Sequence, residues 1–497
     1  MAVDQAHRIR AHAGHLSKEH MATKVNDTSD AVAAMMPGWS KIDALCGGTT
    51  AMRAARETYL PKFPREDQDS YDYRIKTSTL FNGLGRTVEN MAAKPFAEPV
   101  TYTDIDPEPA LWLENIDLCG NNLSVFAHNL LTAGLKYGLT HILVECPPTT
   151  DKDGNLLYPT RAAEQAAGIR PYLVHINPRQ ILGWKSAKNA AGAETLTMLR
   201  MMECVEKDAG EFGTVSIPQV RVLTPGAWAT YRKDPNKDEW PLYKSGKMSL
   251  GFIPLVTFYT RRTGFMTATP PFSDLADLNI KHWQSSSDQD SVLHVARVPI
   301  LAISGVTDDD KDKITIGAKS ALMLPTGGDA KYVEHTGAAI SAGRESLQDL
   351  ENQMRAMGAE LLVETQVTTT ATQNNIEDSE AKCQLSMMVE GLEDALDQAV
   401  DIMHKWVKLD YKGDIDIFDD FSSGAVMQAS GPFVIALVQL VNTGLLSKED
   451  AFGEMQRYGI VNPDLVWADV QSRIELQPPE FVVPMPGAKP QQGQENA

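Results

Sequence analysis

Residues 344–375 read RESLQDLENQMRAMGAELLVETQVTTTATQNN. Leu347, Leu350, Met354, Met357 and Leu361 recur at spacings of three and four, which lays one apolar stripe along a helix over 344–362. Behind it, Thr365 to Asn375 holds five threonines and no charge. A second helix is expected from about Ile376 to Val407, with Leu385, Met388, Leu392, Leu396, Ala399, Met403 and Trp406 as its apolar side. Glu390, Asp394, Asp397 and Asp401 make an acidic opposite side. At the usual rise this rod would be about 45 Å long. A rod of that length near the end of a chain suits a scaffold spanning several subunits better than a compact enzyme.

Outward from this core, a helix is expected over about Phe272 to His294. The stretch 297–335 reads as irregular and β-like, with Val298 to Ile303 as a strand and Asp308-Asp309-Asp310 and Gly327-Gly328 as loops. On the N-terminal side, Ile75, Leu80, Leu84, Val88 and Met91 suggest one helix over Tyr71 to Met91. Residues 108–138 read as helix broken near Gly120-Asn121, and Thr140 to Cys146 as a strand stopped by Pro147-Pro148. Short strands at 171–176, 194–205, 218–222, 228–232 and 253–260 make a β-rich module of about 90 residues by their spacing. Residues 1–36 look weakly helical, and the prolines and glycines of 37–66 punctuate short helices and loops. Residues 432–474 are helical again, and the Pro- and Gln-rich tail after Gln477 has a disordered composition. The fold class is α+β.

The 497 residues are 43% apolar and 22% charged, with a formal net charge of -19. A length near 150 residues per domain suggests about three domains, each able to bury a core. No basic face is visible, which argues against tight static binding of nucleic acid, since such affinity comes from Lys and Arg displacing counterions. The five cysteines contain no CxxC pair, so neither a zinc knuckle nor a dithiol redox site is suggested, and reduced thiols are expected. No secretory leader is expected, and the longest apolar run, Phe433 to Val441, is far short of the roughly 20 residues that span a bilayer.

The search for catalytic signatures finds no phosphate loop, no HExxH and no GxSxG. Asn82 to Thr87 contains GxG but lies within a helical pattern rather than after a strand. Asp308, Asp309, Asp310 and Asp312 lack the alternation and the turn glycine of a calcium loop. Asp414, Asp416, Asp419 and Asp420 alternate with Ile415, Ile417 and Phe418 as a half-wet edge strand would. His282 and His294 share a helix but not ligand spacing. The threonine-rich stretch leaves two readings open. It is a plain loop, or it is a polar lip that touches moving DNA through hydroxyls and amides without trapping phosphates.

Several local motifs then run in order: Tyr59-Leu60-Pro61-Lys62, Tyr71, Arg74, Gly85-Arg86-Thr87-Val88, Ile176-Asn177-Pro178, Arg221-Val222-Leu223 with Pro225-Gly226, and Ile253-Pro254-Leu255-Val256. The longest is Pro270-Pro271-Phe272-Ser273-Asp274-Leu275-Ala276-Asp277-Leu278-Asn279-Ile280, continued by His282, Gln284-Ser285-Ser286, Asp288-Gln289 and Leu293-His294. Gly337-Ala338-Ala339-Ile340, Leu350-Glu351 and Met354 follow. In this order, over about 37–475, they resemble the portal (head-to-tail connector) proteins of tailed bacteriophages, in a less characterised subfamily.

The resemblance implies an N-terminal arm (1–36), a wing of helices and β-structure (37–270), a first stem helix (271–296) and a clip (297–343). A second stem helix (344–362), a tunnel loop (363–377), a long wing helix with a following strand (378–429), a short helical crown (430–475) and a disordered tail (476–497) complete it. It further implies a dodecameric ring at one capsid vertex of the virion, assembled in the host bacterial cytoplasm, through which viral double-stranded DNA is packaged and ejected. The DNA contacts would be non-specific and made by Thr365, Gln366, Thr368, Thr369, Thr370, Thr372, Gln373, Asn374 and Asn375. Val298, Ile300, Ile303, Ile314 and Ile316 would serve clip and subunit contacts, and Asp277, Asn279, Gln284, Asp288, Leu350 and Met354 the stem. Implied partners are the terminase large subunit, head–tail adaptors, and the major capsid and scaffolding proteins, with no membrane. No cofactor, metal or catalytic residue is implied.

Three points stay open from sequence. The strand Val298 to Ile303 could pair with a neighbouring subunit or within its own. The negative charge could line the bore or the exterior. The chain could instead be another virion part, such as an adaptor or minor capsid protein, or a metal-dependent nucleic-acid enzyme.

Overall fold

The structure is a computed structural model that describes residues 24–147, 149, 156–234, 237–296, 300–304, 329–333, 338–362, 383–419, 421, 437–441, 443–457, 461 and 465–475. It falls into two units, Met1–Asp419 and Asp420–Ala497.

The first unit starts with α1 (Asp30–Cys46), which runs straight through Pro37. The expected break there does not occur. A proline inside a helix costs about 3 kcal/mol, and tertiary packing offsets it: Val32, Trp39, Ile42 and Leu45 are all buried, and the Trp39 indole donates to the Tyr137 carbonyl at 3.0 Å. Residues expected in a loose arm are also tied in, since Ser29 N–H donates to Leu182 O and Arg200 donates to the carbonyls of Lys24 and Val25. After α2 (Gly48–Ala55), the single helix expected over 71–91 is two, α3 (Gln68–Thr77) and α4 (Gly83–Ala93). Each has its own cap: Asp67 accepts from Ser70 N–H, and Asn82 accepts from Gly85 N–H. The apolar spacing continued across the break because Leu80 in the link is buried too. The GxG run is thus the start of a helix.

β1 (Thr101–Thr103) and α5 (Pro107–Trp112) precede α6 (Leu123–Tyr137), and the break between the two helices falls at Gly120, with φ +95°. α6 ends at Gly138, φ +85°, where a Cβ would meet the Thr269 carbonyl at 2.4 Å. β2 (Leu139–Glu145) follows, and after α7 (Arg161–Ala166) come β3 (Tyr172–Ile176), β4 (Ile181–Lys188), β5 (Glu194–Asp208), β6 (Thr214–Thr224), β7 (Ala227–Arg232), β8 (Leu242–Lys247) and β9 (Leu255–Tyr259).

These strands do not form one module. β4 to β8 make a five-stranded antiparallel meander in sequence order, while β2 is the centre of a separate three-stranded antiparallel sheet, β3-β2-β9. The strands at 172–176 and 255–259 therefore leave the β-rich module they were grouped with and pair with 139–145. β2 is buried from Leu139 to Val144 because α6 and the later helix Gln384–Trp406 pack with it. Trp39, Tyr137, Leu143, Ile176, Leu199, Met201 and Leu223 join both sheets to α1 in one core.

The small hairpin β10 (Arg262–Gly264) with β11 (Thr267–Ala268) leads into α8 (Ser273–Ala296). Then come β12 (Ile300–Ser304), β13 (Asp329–Val333), α9 (Ala338–Ala359), α10 (Gln384–Trp406) and β14 (Asp414–Asp416), which pairs antiparallel with β1. α10 is shorter than expected, about 34 Å by its rise, because Cys383 in an extended conformation is its N-cap and accepts from Ser386 N–H. In the second unit, α11 (Lys448–Arg457) and α12 (Trp467–Glu475) are described, and Phe452 meets Trp467 with ring centroids 5.2 Å apart.

Two histidines sit in the three-stranded sheet. His141 is 2% exposed and its Nδ1 lies 3.0 Å from the Thr257 hydroxyl; His175 Nε2 lies 2.8 Å from that of Thr140. Burial, with His175 nearby, pushes His141 down to about 3, and burial pushes His175 down to about 4. Both rings stay neutral in the fold while the unfolded chain takes up protons near pH 6.5. Stability is then full above that pH and falls as the medium is acidified towards the folded values. A loss of roughly 3–5 kcal/mol between pH 6.5 and 4.5 is expected from the pair. Urea midpoints at the two pH values check this. His175→Gln, which can still meet the Thr140 hydroxyl, should show a clearly smaller difference than the unmodified chain.

Candidate functional site

α8 and α9 pack against each other. The Gln289 amide donates to Ile340 O at 2.9 Å, and His282 Nε2 lies 3.7 Å from Glu351. As one sequence number rises the other falls, so the pair is antiparallel. At 1.5 Å per residue the helices are about 36 and 33 Å long. Between them in sequence lies the antiparallel ladder β12–β13, in register from Ile300↔Val333 to Ser304↔Asp329. The strand expected at 298–303 thus pairs within its own chain.

Burial divides the helix pair along its length. On α8, Leu275, Ala276, Asn279, His282, Trp283 and Ser287 are buried; on α9, Leu350 and Met354 are, with Leu361 just beyond. The segments nearest the β-ladder, 288–296 and 340–349, contain no buried residue among those described. One end of the pair is rooted in the unit, and the other carries the strands.

The root is polar as well as apolar. Asn279, fully buried, accepts from Leu84 N–H at 2.9 Å and donates to Phe81 O at 2.8 Å. It thereby pins the start of α4 to α8. Gln284 donates to Tyr59 O, and the Ser287 and Ser78 hydroxyls meet at 2.9 Å. The region around Tyr59 is itself clamped. Arg74 makes a two-pronged pair with Glu66 (2.8 and 2.7 Å) and donates to Pro61 O, while the Tyr71 hydroxyl donates to Leu60 O. Arg74 holds the Glu66 carboxyl below its ordinary range. The motif residues Tyr59 to Pro61, Tyr71 and Arg74, scattered in sequence, are one cluster at the foot of α8.

Of the stem residues expected from sequence, Asn279, Gln284, Leu350 and Met354 lie at this root, whereas Asp277 and Asp288 are exposed and Asp277 pairs with Lys41. Ile300 and Ile303 fall on β12. Val298, Ile314, Ile316 and the whole set Thr365, Gln366, Thr368, Thr369, Thr370, Thr372, Gln373, Asn374 and Asn375 lie outside the described residues, as do Asp308 to Asp312. Sequence reasoning missed Trp283, which is 0% exposed, and Glu66, the partner of Arg74. Tryptophan between two polar neighbours gave no periodic signal. Glu66 stands eight residues before Arg74 and ahead of α3, beyond the three- or four-residue separation at which side chains pair on one helix.

Glu393 and Asp397 of α10 lie beside β14 and the residues that flank it. Glu393 accepts from Ile417 N–H at 2.7 Å, and burial, with Asp416 and Asp419 near, pushes its carboxyl up to about 7. A raised carboxyl is at its most favourable below the unfolded value near 4.5, and its contribution is lost as pH rises through about 7. Glu393→Gln keeps an oxygen for Ile417 and removes the charge. It should therefore raise stability at pH 8 by roughly 1–3 kcal/mol and have little effect at pH 4.5. Thermal melts at both pH values test it; equal shifts would contradict it. Among the described residues, no three His, Cys, Asp or Glu side chains are placed to hold a metal ion. No described helix is long and apolar enough to cross a membrane.

A family described as "Domain of unknown function (DUF4055)" matches residues 271–407, from the start of α8 to the end of α10. No curated protein matches the sequence. Among solved structures, the chain is similar at 12% identity and TM-score 0.39 to a chain described as "Virion of native gene transfer agent (GTA) particle", covering 82% of this chain and 98% of that one. A second, "Neck of empty GTA particle computed with C6 symmetry", gives 13% identity, TM-score 0.40 and the same coverages. A third, "Neck of native GTA particle computed with C12 symmetry", gives 12%, 0.36, and coverages of 74% and 88%.

Proposed function

We propose that this chain is the structural portal subunit of a tailed phage or phage-like particle. Copies of it close into a ring, in a dodecamer, at the head–tail junction. The observation that carries the reading is the antiparallel pair α8–α9, rooted at one end and bearing a two-stranded ladder at the other. On this reading the helix pair would be the stem, and the ladder part of the clip, that the portal resemblance of the sequence implies. The exposed face of α9 and the unburied segments next to the ladder would meet neighbouring subunits, as a closed heterologous ring requires two different faces per copy.

In this role the chain has no catalytic site. The pumping work belongs to a terminase motor docked at the clip, and head–tail adaptors replace it later. The threonine-rich residues 365–375 would touch DNA without holding it. Where its acidic groups face the bore, a formal charge of -19 per copy would keep phosphates from sticking to the ring wall. A different virion part, such as an adaptor, shares the acidic composition but has no need of a rooted helix pair of this length.

The test is direct imaging. The purified full chain should give rings with an open centre in negative stain, and should show no magnesium- or manganese-dependent nuclease or ATPase turnover. A protein that stays a single chain across the accessible concentration range would overturn the reading.

A further inference from the structure

The meander carries a projecting arm. β5 and β6 pair from Leu199↔Leu223 out to Asp208↔Thr214. Their outer neighbours stop early: β4 reaches only Met201, and β7 only Gln219. From Glu203 to Pro218 the chain is therefore a two-stranded ribbon with no described strand on either edge. A lone two-stranded ribbon is marginal in water, so an arm of this length points to a surface that it packs on. At its tip Phe212 is 94% exposed, and Glu206, Asp208 and Glu211 beside it are exposed as well, against one cation, Lys207.

The same unit holds a cleft of about 490 Å³ between the two sheets and the end of α10. Leu143, Leu223, Trp228, Met248 and Trp406 give it apolar walls, and the ion pair of Arg221 with Glu145 is part of its lining. Lys247 stands on its wall, and the exposed Lys244 lies three residues before it on the same strand, β8. The size, the aromatic walls and the cationic edge suit an aromatic side chain flanked by carboxylates.

The arm cannot fill its own cleft. Leu223 lines the cleft and Thr214 lies nine residues further along the same extended strand, so the tip is held about 30 Å away. We propose that the ribbon tip of one copy, with Phe212 leading, inserts into the Trp228–Trp406 cleft of the next copy. Its carboxylates then meet Lys247 and Lys244. Plug and socket are different surfaces of one chain, so the contact is heterologous and propagates from copy to copy. The proposal rests on the ring reading above and adds the contact that joins adjacent wings.

Charge reversal on the full chain tests it. Glu211→Lys and Lys247→Glu should each raise the concentration for half-assembly at least about tenfold, as loss of a central contact does. The double variant should return to within about threefold of the unmodified chain. In parallel, Phe212→Cys with Lys247→Cys, in a background with Cys119, Cys146 and Cys204 changed to serine, should give a ladder of disulfide-linked oligomers on non-reducing gels. Either cysteine alone should give none. If the unmodified chain forms rings but the charge variants assemble equally well and no ladder forms, the plug-and-socket contact is wrong and the ring stands. If the unmodified chain never forms rings, the ring reading fails, and this contact with it.

Discussion

Leu350→Asp is expected to remove at least about 4 kcal/mol of stability and to leave little soluble folded chain, because it buries a carboxylate with no partner. Leu350 is 4% exposed on the stripe of α9 that packs on α8, one turn from Met354, itself 2% exposed. The carboxylate has two ways out, and both are costly. It can take up a proton and remain in the seam as an unbonded acid, or it can pry the seam open and expose the root that Asn279 and Trp283 anchor. Gln348→Asp is the matched control. It places the same side chain on the exposed face of the same helix, where substitutions usually stay within about 0.5 kcal/mol. Urea unfolding of the two variants separates the cases. Equal midpoints would mean that the 347–361 stripe is not a buried seam. The variant acts on folding of the single chain, so a loss of rings that leaves the monomer fold intact would locate Leu350 in a subunit contact instead.

The seam was legible because it is periodic. Five apolar residues at spacings of three and four admit one helical face, and the opposing helix was expected over about Phe272 to His294. What local spacing could not show was pairing over distance. The strands at 172–176 and 255–259 have the same alternation as their neighbours, and nothing within them says that their partner is 139–145 rather than the adjacent meander. β4 and β8 escaped notice for a related reason. Lys185, Ser186 and Lys188, and Lys244, Ser245 and Lys247, are ordinary polar loop residues until flanking strands supply the ladder. Pro37 misled in the opposite direction, since its cost is overridden by Trp39 and Ile42 on the same helix. At the candidate site, Asn279, Gln284, Leu350 and Met354 were singled out from sequence and lie at the root, while Asp277 and Asp288 were singled out with them and are exposed. Which of them carry the root depended on contacts made across 195–225 residues of chain, as Asn279 makes with Leu84 and Gln284 with Tyr59.

The second large effect is expected at the foot of α8. Arg74→Met should cost about 3–5 kcal/mol, since it strands the Glu66 carboxylate, whose side chain is 7% exposed, without its cation. Glu66→Leu alone should cost a comparable amount by stranding the guanidinium, itself 5% exposed. The double variant should be much milder than the sum of the two, within about 2 kcal/mol of the unmodified chain, because a buried ion pair replaced by apolar residues of similar volume is often nearly neutral. It does not return fully, since Pro61 O loses the Arg74 donor and Phe63 loses the guanidinium 4.0 Å over its ring. Acid gives an independent readout. Arg74 holds Glu66 below the ordinary carboxylate range, so the stability from this pair is present above pH 4.5 and is lost as pH falls through the lowered folded value. The unmodified chain should therefore approach the double variant in stability as the medium is acidified below pH 4, and part from it again near neutrality. Additive single-variant costs, or a gap between the two proteins that does not change with pH, would mean that Tyr59 to Pro61 is held against α8 by something other than this ion pair.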